Sequence, residues 1–402
     1  MGKHILIETG PPPGVPERRV RRGTSAVGID RIPFQRPELP PAEAIMAYFQ
    51  RSVDAGYFAN GGPCAHELTT RIEERLDHRA HCVLVSSATT GLMAALRAVC
   101  GAPAGRRRLV VCPSYTFTAT AGAIAWAGFE PLFVDIEPDG YGLCPESLDA
   151  ALRMRSGRVA GILACAPFGT APTGALRSAW REIADRHKVA LLIDSAPGFG
   201  ALDEDGLQLG AQGDTEVFSF HATKPFAIGE GGAVLTPDPE LAARIGRIVN
   251  FGIEPSTRTS AEPGFNGKLS ELHAATGLAV LDDFDEILKG RRALAGRVRQ
   301  VAEAAGLRHQ RGAAGSTWQC FQTLAPDPAT RERILSAAAA ARVDAHTMHE
   351  PPLHRHPAFA DAERGPSLVT TDVIAARSIS LPMANRLDDA EVSRICAVTG
   401  VA

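Results

Sequence analysis

The sequence predicts an α/β protein, with a mostly parallel central sheet between helices and a smaller α+β part at the C-terminus. Three observations predict it. Short apolar strands alternate with helix-spaced stretches from about residue 83 to about residue 250. A carboxylate, Asp194, stands just past the end of an apolar strand, where doubly wound sheets gather their sites. From about Arg291 onward helical spacing dominates, with only residues 317–324 strand-like between helices.

In order, residues 1–30 are rich in Pro, Gly and Arg and are expected to form a flexible N-terminal arm. Helices are expected near 42–54 and 65–76, joined by the glycine turn YFANGGP at 57–63, which is a candidate site loop or a plain connection. A strand at 83–85 opens onto SSATTGLMAALRAV, with helix from Thr89 or Thr90. Strands at 109–112, 131–134, 161–165 and 189–193 alternate with helices at 146–153 and 175–187. After strand 233–236 come helix 239–250 and a long helix that Ser270 and Glu271 start in capping fashion. These elements predict an arm (1–30), a large domain (31–290) and a small domain (291–402).

Composition excludes several classes. A net charge of −3 over 402 residues gives no reason to expect nucleic acid, and the run Arg106–Arg108 reads as a solvated loop. No apolar run reaches the roughly 18 residues of a membrane span, and residues 1–22 hold no signal-peptide core. The eight cysteines contain no C-x-x-C pair, and Cys82, Cys112 and Cys165 sit in or beside apolar strands. A reducing, cytoplasmic setting is expected. His346, His349, His354 and His356 cluster, but prolines interrupt the run, and no metal site is expected there.

The chemistry centres on residues 217–232, VFSFHATKPFAIGEGG. Of five lysines, Lys224 alone stands between two strands that read as buried. A lysine on a turn is ordinarily a surface residue. Desolvated, it loses its proton more easily and becomes available for Schiff-base chemistry, which an arginine cannot perform. S-F-H-A-T-K followed by G-E-G-G resembles the cofactor-lysine segment of the DegT/DnrJ/EryC1/StrS aminotransferases. These are fold-type-I enzymes dependent on pyridoxal 5'-phosphate (PLP) that aminate nucleotide-linked keto-sugars and cyclitol ketones.

Four further segments carry the resemblance. The hydroxyl-rich helix start at Ala88 and Thr89 is by itself either an N-cap or a phosphate cradle. It resembles the family's S-G-T-A-A-L and so implies a cradle, with alanine in place of glycine at 88. P-S-Y-T-F-T-A-T resembles P-x-x-T-F/W-x-A-T, whose aromatic stacks on the cofactor ring; Phe117 matches, where a core phenylalanine is the plain alternative. L-I-D-S-A-P-G-F-G-A resembles E-D-A-A-Q/H-x-x-G-A, and Asp194 matches the partner of the ring nitrogen; a turn or N-cap aspartate is the alternative. G-F-N-G-K-L-S-E-L resembles G-Y-N-x-R-x-S-E-L, whose asparagine reaches the partner subunit's cofactor phosphate. Asn266 matches it, although alone the segment is a turn. Ser219 matches a phosphate-binding serine, while His221 reads as structural and Glu230 as a cap for the N–H groups of its turn.

The resemblance implies a homodimeric aminotransferase with its active site shared across the interface. It would take small-molecule substrates, an amino donor (L-glutamate or L-glutamine) and a keto acceptor. Lys224 would hold PLP as an internal aldimine and then shuttle the proton. Two departures stand out. Pro197 occupies the place of a Gln or His near the cofactor's phenolic oxygen, and His349 replaces an aromatic residue ahead of Pro352–His354. They leave open a PLP-dependent lyase or dehydratase on the same scaffold. A non-catalytic binding protein is the third reading.

Overall fold

The strand–helix alternation builds one eight-stranded sheet in the computed structural model, which describes residues 31–401. The arm expected at 1–30 lies outside the described residues. The strands are β1 (His81–Val85), β2 (Leu109–Pro113), β3 (Glu130–Val134), β4 (Val159–Cys165), β5 (Ala190–Asp194), β6 (Thr215–Ser219) and β7 (Gly232–Thr236). The short hairpin β8 (Ile253–Glu254) and β9 (Thr259–Ser260) stands apart; β10 (Phe321–Leu324), β11 (Glu363–Arg364) and β12 (Ser378–Leu381) follow. The large sheet runs β1-β7-β6-β5-β4-β2-β3-β11, and only β7 opposes its neighbours. The C-terminal ends of β1, β2, β4, β5 and β6 therefore share one edge.

Both faces of the sheet are covered, which is why β4 reads as an unbroken apolar run, VAGILAC, with all its residues buried. Side chains alternate between two cores: Val111, Ile162 and Leu191 enter one, Val110, Leu163 and Leu192 the other. Helices α1 (Ala42–Ala55) and α2 (Pro63–Arg75) lead the chain, and α3 (Ala88–Cys100) and α4 (Thr118–Trp126) cover the second core through Leu92, Leu96 and Ile124. Helices α5 (Pro145–Met154) and α6 (Gly174–His187) cover the first through Leu152 and Trp180, and α7 (Pro239–Ile248) returns to the second through Ile245.

The 34-residue α8 (Glu271–Ala304) joins the two halves. Leu278 and Phe284 on its first part enter the sheet's core, whereas Leu294 and Val298 on its last part enter a separate core with Phe321, Ile379 and Ile395. That core is built on the β10–β12 pair with α9 (Pro328–Ala340) and α11 (Asp389–Thr399), while α10 (Val369–Ala375) packs through Ile374 in a smaller cluster with Tyr115 and Tyr141. The expected 290/291 boundary falls inside this continuous helix, and residues 31–402 group as one unit.

Two local expectations need correcting. The strand expected over 317–324 covers only 321–324, because buried Arg291 takes the preceding carbonyls: its guanidinium donates to Thr317 O at 3.1 Å, Trp318 O at 2.6 Å and Gln319 O at 3.3 Å. Ser270 caps α8 as expected, accepting from His273 N at 3.4 Å. Glu271 instead reaches back to another helix. Its carboxylate accepts from Ser52 Oγ at 2.7 Å, Cys64 N at 2.8 Å and Ala65 N at 3.1 Å, satisfying orphan donors at the start of α2. Gly62 sits so close that a Cβ would meet the Glu271 carboxyl at 2.8 Å, so the 57–63 turn is held as part of this clasp.

Glu271→Leu strands three donors in the interior. We expect a loss of about 2–4 kcal/mol in stability, read as a lower urea midpoint by circular dichroism.

Candidate active site

A cavity of about 390 Å³ opens at the shared C-terminal edge of the strands. It takes lining residues from the segment after each: Ala88 and Thr89 after β1, Phe117 after β2, Cys165 and Ala166 at the end of β4, Asp194 and Pro197 from β5, and Ser219 and Lys224 from β6. Six of the seven residues singled out from the sequence thus come together. Asn266 does not. It is exposed, bridges Asn250 in an antiparallel contact, and lies outside the cavity of its own chain.

Lys224 sits in a turn closed by its own N–H donating to His221 O at 2.9 Å. Burial pushes its ammonium down to about 8, against the opposing pull of Asp194. Asp194, 8% exposed, is raised by burial, while hydrogen bonds from Thr120 Oγ1 (2.7 Å) and Ala196 N (3.1 Å) favour its charged form. The two groups therefore approach one another in charge preference from opposite sides. Thr120 was not legible as a site residue, although its place one turn beyond Phe117 in T-F-T-A-T was a usable signal.

At the other end Ser87 caps α3 in a box with Thr90, accepting from Thr90 N at 3.2 Å while Thr90 Oγ1 accepts from Ser87 N at 3.1 Å. The helix begins at Ala88, one or two residues earlier than the expected Thr89 or Thr90. Its first-turn N–H groups have no acceptor within the helix. Gly232 permits this approach, since a Cβ there would stand 2.9 Å from Ala88 N and 2.6 Å from Phe218 O. Phe117 is 62% exposed, so the core alternative for it does not hold.

His221 accepts from Thr223 N through Nδ1 at 3.2 Å and also lines the cavity. Glu230 corrects an expectation. Among the described residues it accepts no turn N–H, and its carboxylate stands 3.5 Å from His221 Nε2 with 61% of its side chain exposed. The glycine turn is tied down instead through its carbonyls, Gly231 O accepting from Phe220 N at 2.9 Å and Gly229 O from Ala222 N at 2.8 Å. Pro197 offers only its carbonyl, which accepts from Thr317 Oγ1 at 2.7 Å.

The four clustered histidines separate. His354 Nδ1 accepts from Ser114 Oγ (2.8 Å), which itself accepts from His354 N (3.0 Å), and this pins the loop to the end of β2. His356 Nε2 meets Pro351 O at 2.9 Å, and His346 packs on Phe34 with ring centroids 4.3 Å apart. Only His349 lines the cavity, along with Gln35, Gln319 and Met348, none of which the sequence marked.

All eight cysteines are free thiols, and among the described residues no helix is long and apolar enough to cross a membrane. Known proteins resemble this architecture closely. The chain is 34% identical over 389 residues to the Mycobacterium tuberculosis protein Rv3402c, covering 96% of this chain and 93% of that one. It is 32% identical over 256 residues to a dTDP-4-amino-4,6-dideoxy-D-glucose transaminase of Shigella dysenteriae, covering 64% and 66%. The crystal structure of a putative PLP-dependent aminotransferase from Bacillus cereus superposes with a TM-score of 0.85 at 28% identity, covering 92% of this chain and all (100%) of that one. With the family profile matching residues 41–399, the chain belongs to the DegT/DnrJ/EryC1/StrS aminotransferase family, enzymes of PLP fold type I.

Proposed function

We propose that the protein moves an amino group from L-glutamate or L-glutamine to the ketone carbon of a nucleotide-linked keto-sugar or a cyclitol. The observation that carries this reading is a desolvated lysine amine and a buried carboxylate in one cavity with a helix N-terminus. The name of the Shigella dysenteriae relative supports a nucleotide-linked sugar.

The residues fit pyridoxal phosphate group by group. The first turn of α3 at Ala88 and Thr89, with the Ser219 hydroxyl, suits a phosphate. Asp194 suits a protonated ring nitrogen, and the exposed Phe117 ring offers a flat apolar face. Bound PLP supplies the electron sink that makes the carbon beside a substrate amine acidic. The chain's own residues do the rest. Lys224 Nζ titrates near neutrality and so both takes and returns a proton, the requirement for a general acid–base. Thr120 and the Ala196 N–H orient the Asp194 carboxylate, which would favour the protonated form of a ring nitrogen held there. Phe168 and Met348 wall the cavity with apolar surface and exclude water.

A homodimer with a shared site belongs to the same reading. It is supported by the exposed Asn266 outside the cavity and by exposed apolar side chains on α4 and its cap, Trp126 at 81% and Phe117 at 62%.

Three outcomes test it. The purified protein should show the visible absorbance of bound PLP, and that band should shift on adding L-glutamate or L-glutamine; Lys224→Ala should abolish both the band and, by about 10³-fold or more, turnover. A Lys224→Ala protein that transaminates normally sinks the assignment. Because the ammonium is lowered from 10.5 to about 8, the neutral amine is scarce at pH 6.5 and dominant at pH 9. Stopped-flow capture of PLP by the apoprotein should therefore accelerate with rising pH and level off above about 9. Thr120→Val, which removes one bond to Asp194, should retain PLP yet turn over about tenfold more slowly.

A further inference from the structure

We infer that Gln35, Gln319 and His349 form a neutral polar wall that binds ring hydroxyls of the keto acceptor. This rests on the aminotransferase reading above and extends it to how the acceptor is recognised.

The three side chains line the same cavity as Lys224. They come from separate parts of the chain: the lead-in to α1, the stretch before β10, and the loop after α9. Among the described residues none of the three has a hydrogen bond from its side chain to protein, and none is sealed away from open space. Gln319 is the sharpest case, since it is only 6% exposed. Buried amides are ordinarily paired, so an unpaired one lining a cavity is poised for a ligand.

Each position is rigidly supported, as recognition requires. Arg291 holds the carbonyls of Thr317, Trp318 and Gln319. The Ser114–His354 clasp fixes the loop that carries His349, and the His349 ring packs at 5.2 Å from Tyr115 and 5.1 Å from Phe168. Gln35 is flanked by the Ile32–Val343 bridge and by the Arg36–Glu391 ion pair at 2.5 Å.

The chemistry of the wall points to hydroxyls. Burial, reinforced by the nearby Lys224 charge, lowers His349 to about 3, so the imidazole is neutral and presents one donor and one acceptor. Each glutamine presents both as well. A hydroxyl, itself donor and acceptor, pairs with all of them. The wall thus matches a hydroxylated six-membered ring, whose hydroxyls each donate and accept.

The test separates the two half-reactions on the PLP-loaded protein. The donor half is followed by the spectral shift with L-glutamate or L-glutamine. The acceptor half is followed with scyllo-inosose, and in reverse with dTDP-4-amino-4,6-dideoxy-D-glucose, using cyclohexanone as the ring ketone without hydroxyls. Wild type should favour at least one hydroxylated probe over cyclohexanone. Gln319→Leu and His349→Phe should each lower kcat/KM for that probe roughly tenfold relative to their effect on the donor half, and His349→Asn should recover part of the loss. Equal loss in both halves, no loss in either, or a wild type that prefers cyclohexanone or rejects both hydroxylated probes overturns the wall. A wild type whose cofactor band ignores both amino donors fails earlier, at the aminotransferase reading itself.

Discussion

The burial of Lys224 and Asp194 beside one cavity is the constraint on which the rest depends. Burial disfavours both charges, lowering the ammonium to about 8 and raising the carboxylic acid, while their mutual attraction opposes both shifts. Local turns and a distant helix both contribute. Asp194 needs Thr120 from α4 to keep its carboxylate oriented, and Lys224 needs the turn closed by His221 to hold its amine at the same edge of the sheet.

That edge exists because the strands carrying the site run in one direction. Cys165, Asp194 and Val217 are register partners across β4, β5 and β6, so the segments that follow them emerge side by side. The antiparallel β7 contributes differently. Its first residue, Gly232, lacks the Cβ that would collide with Ala88 N, and the start of α3 can therefore settle at the cavity's end. The Glu271 clasp and α8 then tie the sheet to the C-terminal core, whose Arg291 fixes the Gln319 backbone. A contact from the C-terminal half of α8 thereby sets one wall of the site.

Two departures from the family pattern become one observation. Pro197 removes a polar side chain from the segment after β5 and spends its carbonyl on Thr317. Polar groups appear instead at Gln319 and His349, on the segments before β10 and after α9. The cavity thus gathers a lysine, a carboxylate and a helix start, with neutral polar side chains at Gln319 and His349.

The sequence alone determined the alternating sheet, because a strand buried on both faces must be a short apolar run and its helices must be amphipathic. It also marked Lys224 by its flanking strands, while resemblance to the family marked Asp194, Ser219, Ala88, Thr89 and Phe117; all six line one cavity. Tertiary structure decided what periodicity cannot carry. Glu271 reads as the opening of its own helix yet spends its carboxylate on Cys64, 207 residues away, and residues 317–320 read as strand until Arg291 takes their carbonyls. Gln35 and Gln319 carry no local signature, and His349 stands out only as a departure ahead of Pro352–His354; their significance lies in being unpaired beside Lys224. Local pattern reports backbone preference and burial, whereas the partner of a polar group, or its lack of one, is settled only when distant segments meet.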